Sequence, residues 1–203
     1  MKNSFLCVTL ALMIALPVCA KDSITLKETH RVTRNTTLHF DVSVGEIFVA
    51  THDSDKVQVK VVVTAKDNNR SSNENLSNAK LQIKVDGGDV YFAVDKKDTA
   101  QDWKITLPKS ANVDLDVGVG AIEIEGVEKT LNIDLGVGEV VADMAVKNYR
   151  RIDLDAGVGD IQIKGLNNAK VKSNIVSESL DWRGSGKYKL EIDVGVGGIK
   201  VNF

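Results

Sequence analysis

Aspartates recur at one place in a repeated pattern. Asp116, Asp134, Asp155 and Asp193 each stand two residues before a glycine, and Asp41 stands in the same relation to Ser43. If the repeats stack as strands of a sheet, these carboxylates form a column with a spacing of about 4.8 Å. Like charges that close repel unless something answers them. The chemistry such a row offers is Ca²⁺ binding, since calcium takes several hard carboxylate and carbonyl oxygens. The competing account is structural: an aspartate beside a glycine caps turn amides or stays solvated on an outer face. Calcium-binding repeats carry a denser G-G-x-G-x-D signature, which is absent here. The expectation is therefore of turn residues and no cofactor, with Ca²⁺ at Asp116, Asp134, Asp155 and Asp193 as the alternative.

A second candidate is the irregular stretch Val176–Gly184, VSESLDWRG, with Tyr188 just beyond. Trp182 and Tyr188 offer large faces with polar tips and Arg183 a planar cation, a set suited to a glycan or peptide contact. Trp182 filling the end of the core is the plain alternative. Trp103, and Tyr149 with Arg150 and Arg151, raise the same two readings. His30, His39 and His52 lie near Asp41, Asp53 and Asp55, and His39 and Asp41 share a strand face, so a transition-metal site needs only that three ligands converge. No HExxH spacing occurs. Nor does any serine sit in a G-x-S-x-G elbow, so catalysis has little local support.

The elements that must position these residues come from one repeat. DLDVGVGAIEIEG (114–126) recurs as DLGVGEVVADM (134–144), DLDAGVGDIQIKG (153–165) and DVGVGGIKVNF (193–203), with a weaker copy DVSVGEIFV at 41–49. The second glycines Gly120, Gly138, Gly159 and Gly197 are 18, 21 and 38 residues apart, and the double interval places a degenerate copy over Val176–Gly184, aligning Leu180 and Trp182 with Ile161 and Ile163. Counting from the first glycine as zero, apolar residues stand at −3, −1 and +1 (Leu115, Val117, Val119), then at +4 and +6 (Ile122, Ile124). The inward phase thus switches at the glycines. A straight strand keeps one phase, so the backbone bends there. Either a solenoid corner or a hairpin with a Gly-Val turn satisfies that spacing.

In chain order, residues 1–20 have Lys2, an apolar run from Phe5 to Val18 and a small Ala20, which reads as a secretory signal peptide. Leu16-Pro17-Val18-Cys19 resembles a lipobox, but bulky Val18 fits poorly, so lipoprotein anchoring at Cys19 is the lesser reading. Cleavage after Ala20 removes Cys7 and Cys19, both cysteines of the chain, which excludes disulfides and thiolate sites from the remainder. No other apolar run approaches the ~20 residues of a membrane helix. The net charge of −2, with signs interspersed, excludes a nucleic-acid stripe. Residues 21–109 read as a strand-rich part, with Val57, Val59, Val61 and Val63 alternating and a polar loop at 67–78 where a short helix is expected. Gly87-Gly88, between the strands KLQIKV and DVYFAV, reads as another turn of the same glycine family, and Pro108 is expected to keep WKITLPK out of a central position. Residues 110–203 hold the regular repeat. Its last strand, ending at Phe203, is expected to leave an open edge through which chains could self-associate.

The strand–G-E-I-x-V–strand unit at the start, followed by ITLPKSANVDLDVGVGAIEIEG and further G-x-G-x-I-x-I units, resembles the bacterial putative-adhesin family, over about Ile24 to Phe203. The resemblance implies a β-solenoid and favours the corner over the hairpin. The reading is an all-β chain: a β-solenoid of about five coils preceded by a less regular strand-rich part. Its function is that of an exported, non-catalytic envelope or cell-surface scaffold or binding module, periplasmic or outside the cell, whose partners are envelope proteins or glycans. A parallel β-helix enzyme acting on polysaccharide is the alternative.

Overall fold

The computed structural model describes residues 23–65, 76–96 and 99–203. The expected signal peptide, and most of the 67–78 loop, lie outside them. The described residues form twelve strands: β1 (Ser23–Arg31), β2 (Thr37–His52), β3 (Lys56–Ala65), β4 (Leu81–Asp86), β5 (Asp89–Val94), β6 (Thr99–Pro108), β7 (Asn112–Glu125), β8 (Leu131–Asp143), β9 (Tyr149–Lys164), β10 (Lys172–Ser173), β11 (Glu178–Arg183) and β12 (Tyr188–Asn202). They join in one mixed sheet. The only helical turns among the described residues are short 3-10 pieces at Leu76–Asn78 and Val146–Asn148.

Five long strands carry the repeat, side by side and parallel, in the order β2-β7-β8-β12-β9. Their register matches repeat position to repeat position, so Asp41, Asp116, Asp134, Asp193 and Asp155 stand in one row. Within each strand the buried phase switches at the glycines: Leu115 and Val117 are buried before them, Ile122 and Ile124 after. Each strand therefore has two arms with a corner between. Beyond β2 the arms acquire different neighbours, β5 along Leu38–Asp41 and β6 along Ile47–His52. The two layers meet across one continuous core, where Phe40 of a first arm stacks on Phe92 and meets the Trp103 ring of β6 edge-on. Each large apolar side chain so buried contributes about 1.5–3 kcal/mol.

A close approach explains the second glycine of each copy. A Cβ on Gly138 would lie 1.7 Å from the carbonyl oxygen of Gly120 in the neighbouring strand, and one on Gly197 would lie 1.7 Å from that of Gly138. Their φ angles, 147° and 143°, are ones that side-chain-bearing residues rarely adopt. Backbone stacks directly on backbone at the corner, and only glycine leaves the room.

Several expectations are corrected. Val119 does not continue the inward phase: it is exposed, as are Val137, Val158 and Val196. The bend falls between positions −1 and +4, and everything between points outward. The stretch around Trp182 is not a degenerate parallel copy. It is β11, antiparallel to β9, with Leu180 opposite Leu154 and Trp182 opposite Ile152. By occupying the outer edge of β9's first arm, β11 sends the returning chain to the other side. There β12 fits between β8 and β9 and pairs with both. The last strand is thus interior, without the open edge expected of it. β6 is also interior, between β3 and β2, because Pro108 is its final residue and its missing N–H removes no bond from the middle of the ladder. The turn expected at Gly87-Gly88 is present and is a hairpin, with φ of 61° and 99° joining β4 to antiparallel β5.

Candidate functional site

The sequence candidates separate in space. Asp116, Asp134, Asp155 and Asp193 lie on the outer face of the first arms, exposed and without a hydrogen-bond or ion-pair partner among the described residues. Partial desolvation by the neighbouring strands raises the Asp116 carboxyl above its ordinary value of 3.8, and the charges of Asp41, Asp134 and Asp114 raise it further. The same holds for Asp193, through burial and then Asp155, Asp134, Glu191 and Asp153. The column therefore holds unanswered negative charge. Among the described residues no three His, Cys, Asp or Glu converge as a metal would need.

The three histidines are likewise apart. His52 Nε2 donates to the Lys56 carbonyl at 2.6 Å, and His30 sits on β1 opposite Val57. His39 is the structured one. Its ring stacks on Tyr91 at 4.3 Å, 6° from parallel, and Nδ1 donates to Asp114 Oδ2 at 2.7 Å. Asn132 Nδ2 in turn donates to Asp114 Oδ1 at 2.8 Å, which fixes the carboxylate and hence the tautomer. The other nitrogen, Nε2, is buried without a hydrogen bond, 3.8 Å from Asp89 Oδ2. The ring ties β5, β2, β7 and β8 together and presents no accessible base to a substrate.

Trp182, Arg183 and Tyr188 form no shared pocket wall around the cleft described below. Trp182 is half-buried, its ring over the Cα of Gly184 and its Nε1 donating to the Asn167 carbonyl at 3.2 Å. Arg183 is exposed, 3.8 Å from Asp181. Tyr188 is capped by Lys129, whose Nζ donates to the hydroxyl at 2.7 Å and lies 4.6 Å from the ring centre. Trp103 is core: 2% exposed, with Nε1 donating to Gln101 Oε1 at 3.1 Å. Tyr149 is core too; burial pushes its phenol far above the usual range, and its hydroxyl donates to the Val127 carbonyl at 2.9 Å. Arg151 is engaged by Asp153 at 2.6 Å and Asp181 at 3.2 Å.

The feature that residue spacing did not reveal is a cleft of about 520 Å³ on the outer face of the second layer. One rung of it crosses five strands: Lys60 of β3 opposite Lys104 of β6, then Phe48 of β2, Glu123 of β7 and Val141 of β8. Val62 and Ala121 add to the apolar floor, while Glu46, Asp102 and Glu139 extend the charged rim. Lys104 Nζ stands 5.7 Å from the Phe48 ring. These are the outward positions of strands whose inward ones, Val61, Trp103, Ile47, Ile122 and Val140, are buried. Their juxtaposition requires two antiparallel strands to join a parallel set, which no single stretch announces. An apolar floor with paired charges at its margin suits a ligand of mixed character, a peptide or a sugar with an apolar face.

An all-β scaffold built on one mixed sheet is thus the class that the fold defines. One solved structure shares this fold. A putative cell adhesion protein from Clostridium sporogenes ATCC 15579 aligns over 88% of this chain and 99% of its own, at 16% identity and a TM-score of 0.54. A putative adhesin from Bacteroides fragilis NCTC 9343 aligns over 90% and 98%, at 18% identity, but superposes loosely, with a TM-score of 0.28. No curated protein matches. The chain belongs to the family of the N-terminal domain of toast_rack, DUF2154, whose profile matches residues 19–164.

Proposed function

We propose that this is an exported, non-catalytic envelope or cell-surface protein whose corner-turning strands act as β-solenoid coils and whose outer face is an adhesin-like binding surface. The observation that carries the reading is the cleft around Phe48, where an aromatic and three aliphatic side chains lie open between Lys60, Lys104 and four carboxylates. Export rests on the residue pattern of positions 1–20. The putative cell adhesion protein of like fold lends the adhesive role its support.

Cosedimentation of the labelled protein with isolated cell envelopes tests it. Phe48→Ala should lower the bound fraction by at least about fivefold, the effect of losing ~1 kcal/mol at an interface anchor. Its melting point should stay near that of the wild type, because Phe48 is only half-buried. Equal retention of the variant, or no retention of the wild type, would refute the assignment.

A further inference from the structure

The glycine corner bears a second surface, which adjoins the Phe48 cleft and shares Glu46, Ala121 and Glu139 with its margin. At position +1 the five parallel strands place Val44, Val119, Val137, Val196 and Val158 in one unbroken row. Four of these are between 45% and 49% exposed, and Val44 is half-buried at the end of the row. At the ~4.8 Å strand spacing the ridge is about 19 Å long. The columns on either side, Ser43 with Gly118, Gly136, Gly195 and Gly157, and Gly45 with Gly120, Gly138, Gly197 and Gly159, carry no bulk to cover it. Four near-equal exposures in register make one continuous apolar line, unlike scattered surface valines.

The two rows that flank the ridge carry only acids, although Lys172 of β10 lines the same hollow as Asp155 and Asp193. On one side runs Asp41, Asp116, Asp134, Asp193 and Asp155; on the other, the row Glu46, Ala121, Glu139, Gly198 and Asp160 holds three more acids. Neither row contains a lysine or arginine. A second copy of this chain would bring the same acids against them, so self-association along the ridge is disfavoured. An anionic lipid surface is disfavoured for the same reason. We infer that the corner is a docking ridge for a cationic amphipathic peptide segment, whose apolar residues lie along the valines while its lysines or arginines face the two acidic rows.

Fluorescence anisotropy with three labelled synthetic peptides of equal length tests this on the wild-type protein. The Lys/Leu peptide should bind more tightly than Lys/Ser by about tenfold or more, the Glu/Leu peptide should not bind, and affinity should fall as salt rises. On the protein side, the exposed triple Val119→Asn, Val137→Asn, Val196→Asn should lose that tenfold preference, with its melting point checked. Asp116→Asn with Asp134→Asn and Asp193→Asn should weaken both lysine peptides alike. Equal binding of Lys/Leu and Lys/Ser would overturn the ridge as the docking element. So would binding of Glu/Leu, ridge-dependent dimerisation in sedimentation, or tighter binding to anionic vesicles than to peptide. The peptide comparison needs no variant, so a misfolded triple leaves the test intact.

Discussion

Replacing Gly138 by alanine isolates the corner packing. The added Cβ would lie 1.7 Å from the Gly120 carbonyl oxygen, whereas real Cβ contacts essentially never come under 3.0 Å. The obstacle is the backbone of β7, held by parallel pairing to β2 on one side and β8 on the other, so no side chain can swing away. Strands β7 and β8 must part locally by more than ~1 Å, which breaks two or three ladder bonds at about 1 kcal/mol each. Overpacking adds about 1–3 kcal/mol. The total is roughly 4 kcal/mol, a large share of a typical domain's 5–15 kcal/mol. For a chain of this size that lowers the melting point by roughly 8–16 °C. The matched control is one residue beyond the neighbouring corner: at Gly198 the nearest atom to a new Cβ is Asp160 Oδ1 at 3.7 Å, an ordinary contact. Gly198→Ala should be neutral or gain a few tenths of a kcal/mol from a less flexible unfolded chain. Urea unfolding followed by circular dichroism reads both variants. Equal midpoints for Gly138→Ala and Gly198→Ala would refute the backbone-on-backbone account of the corner.

Two further outcomes follow from the same structure. Asp116 and Asp193 titrate higher in the fold than their ordinary 3.8, so the folded state holds their protons more tightly and stability falls as pH rises through the window from 3.8 to the raised value. Asp116→Asn and Asp193→Asn should therefore raise the melting point at pH 7, with a gain that shrinks as pH falls toward 4; a gain independent of pH would refute the raised titration of these carboxyls. Ile161 is 6% exposed and inward, while Gln162 beside it is exposed. Ile161→Asp should cost about 3–5 kcal/mol by burying an unpaired charge and Gln162→Asp little, with denaturant midpoints as the check.

The sequence by itself determined the strands, their inward phase and the place where that phase switches. Alternation and the demand for glycine are local properties, legible at Leu115, Val117, Gly118 and Ile122 without any partner. It also placed the aspartate row on an outer face, since position −2 is fixed once −1 is inward. Only the tertiary structure decided which strand lies beside which. The repeats are so alike that each offers nearly the same ladder of donors and acceptors, and nothing local distinguishes β8-β9 from β8-β12-β9. The choice falls to a distant event, β11 occupying the outer edge of β9. Likewise Val119 reads as inward from its spacing, yet faces solvent because the corner packs Gly120 against the backbone of Gly45. The Phe48 cleft, assembled from β3, β6, β2, β7 and β8, exists only once antiparallel and parallel strands are joined, and so has no signature in any one of them.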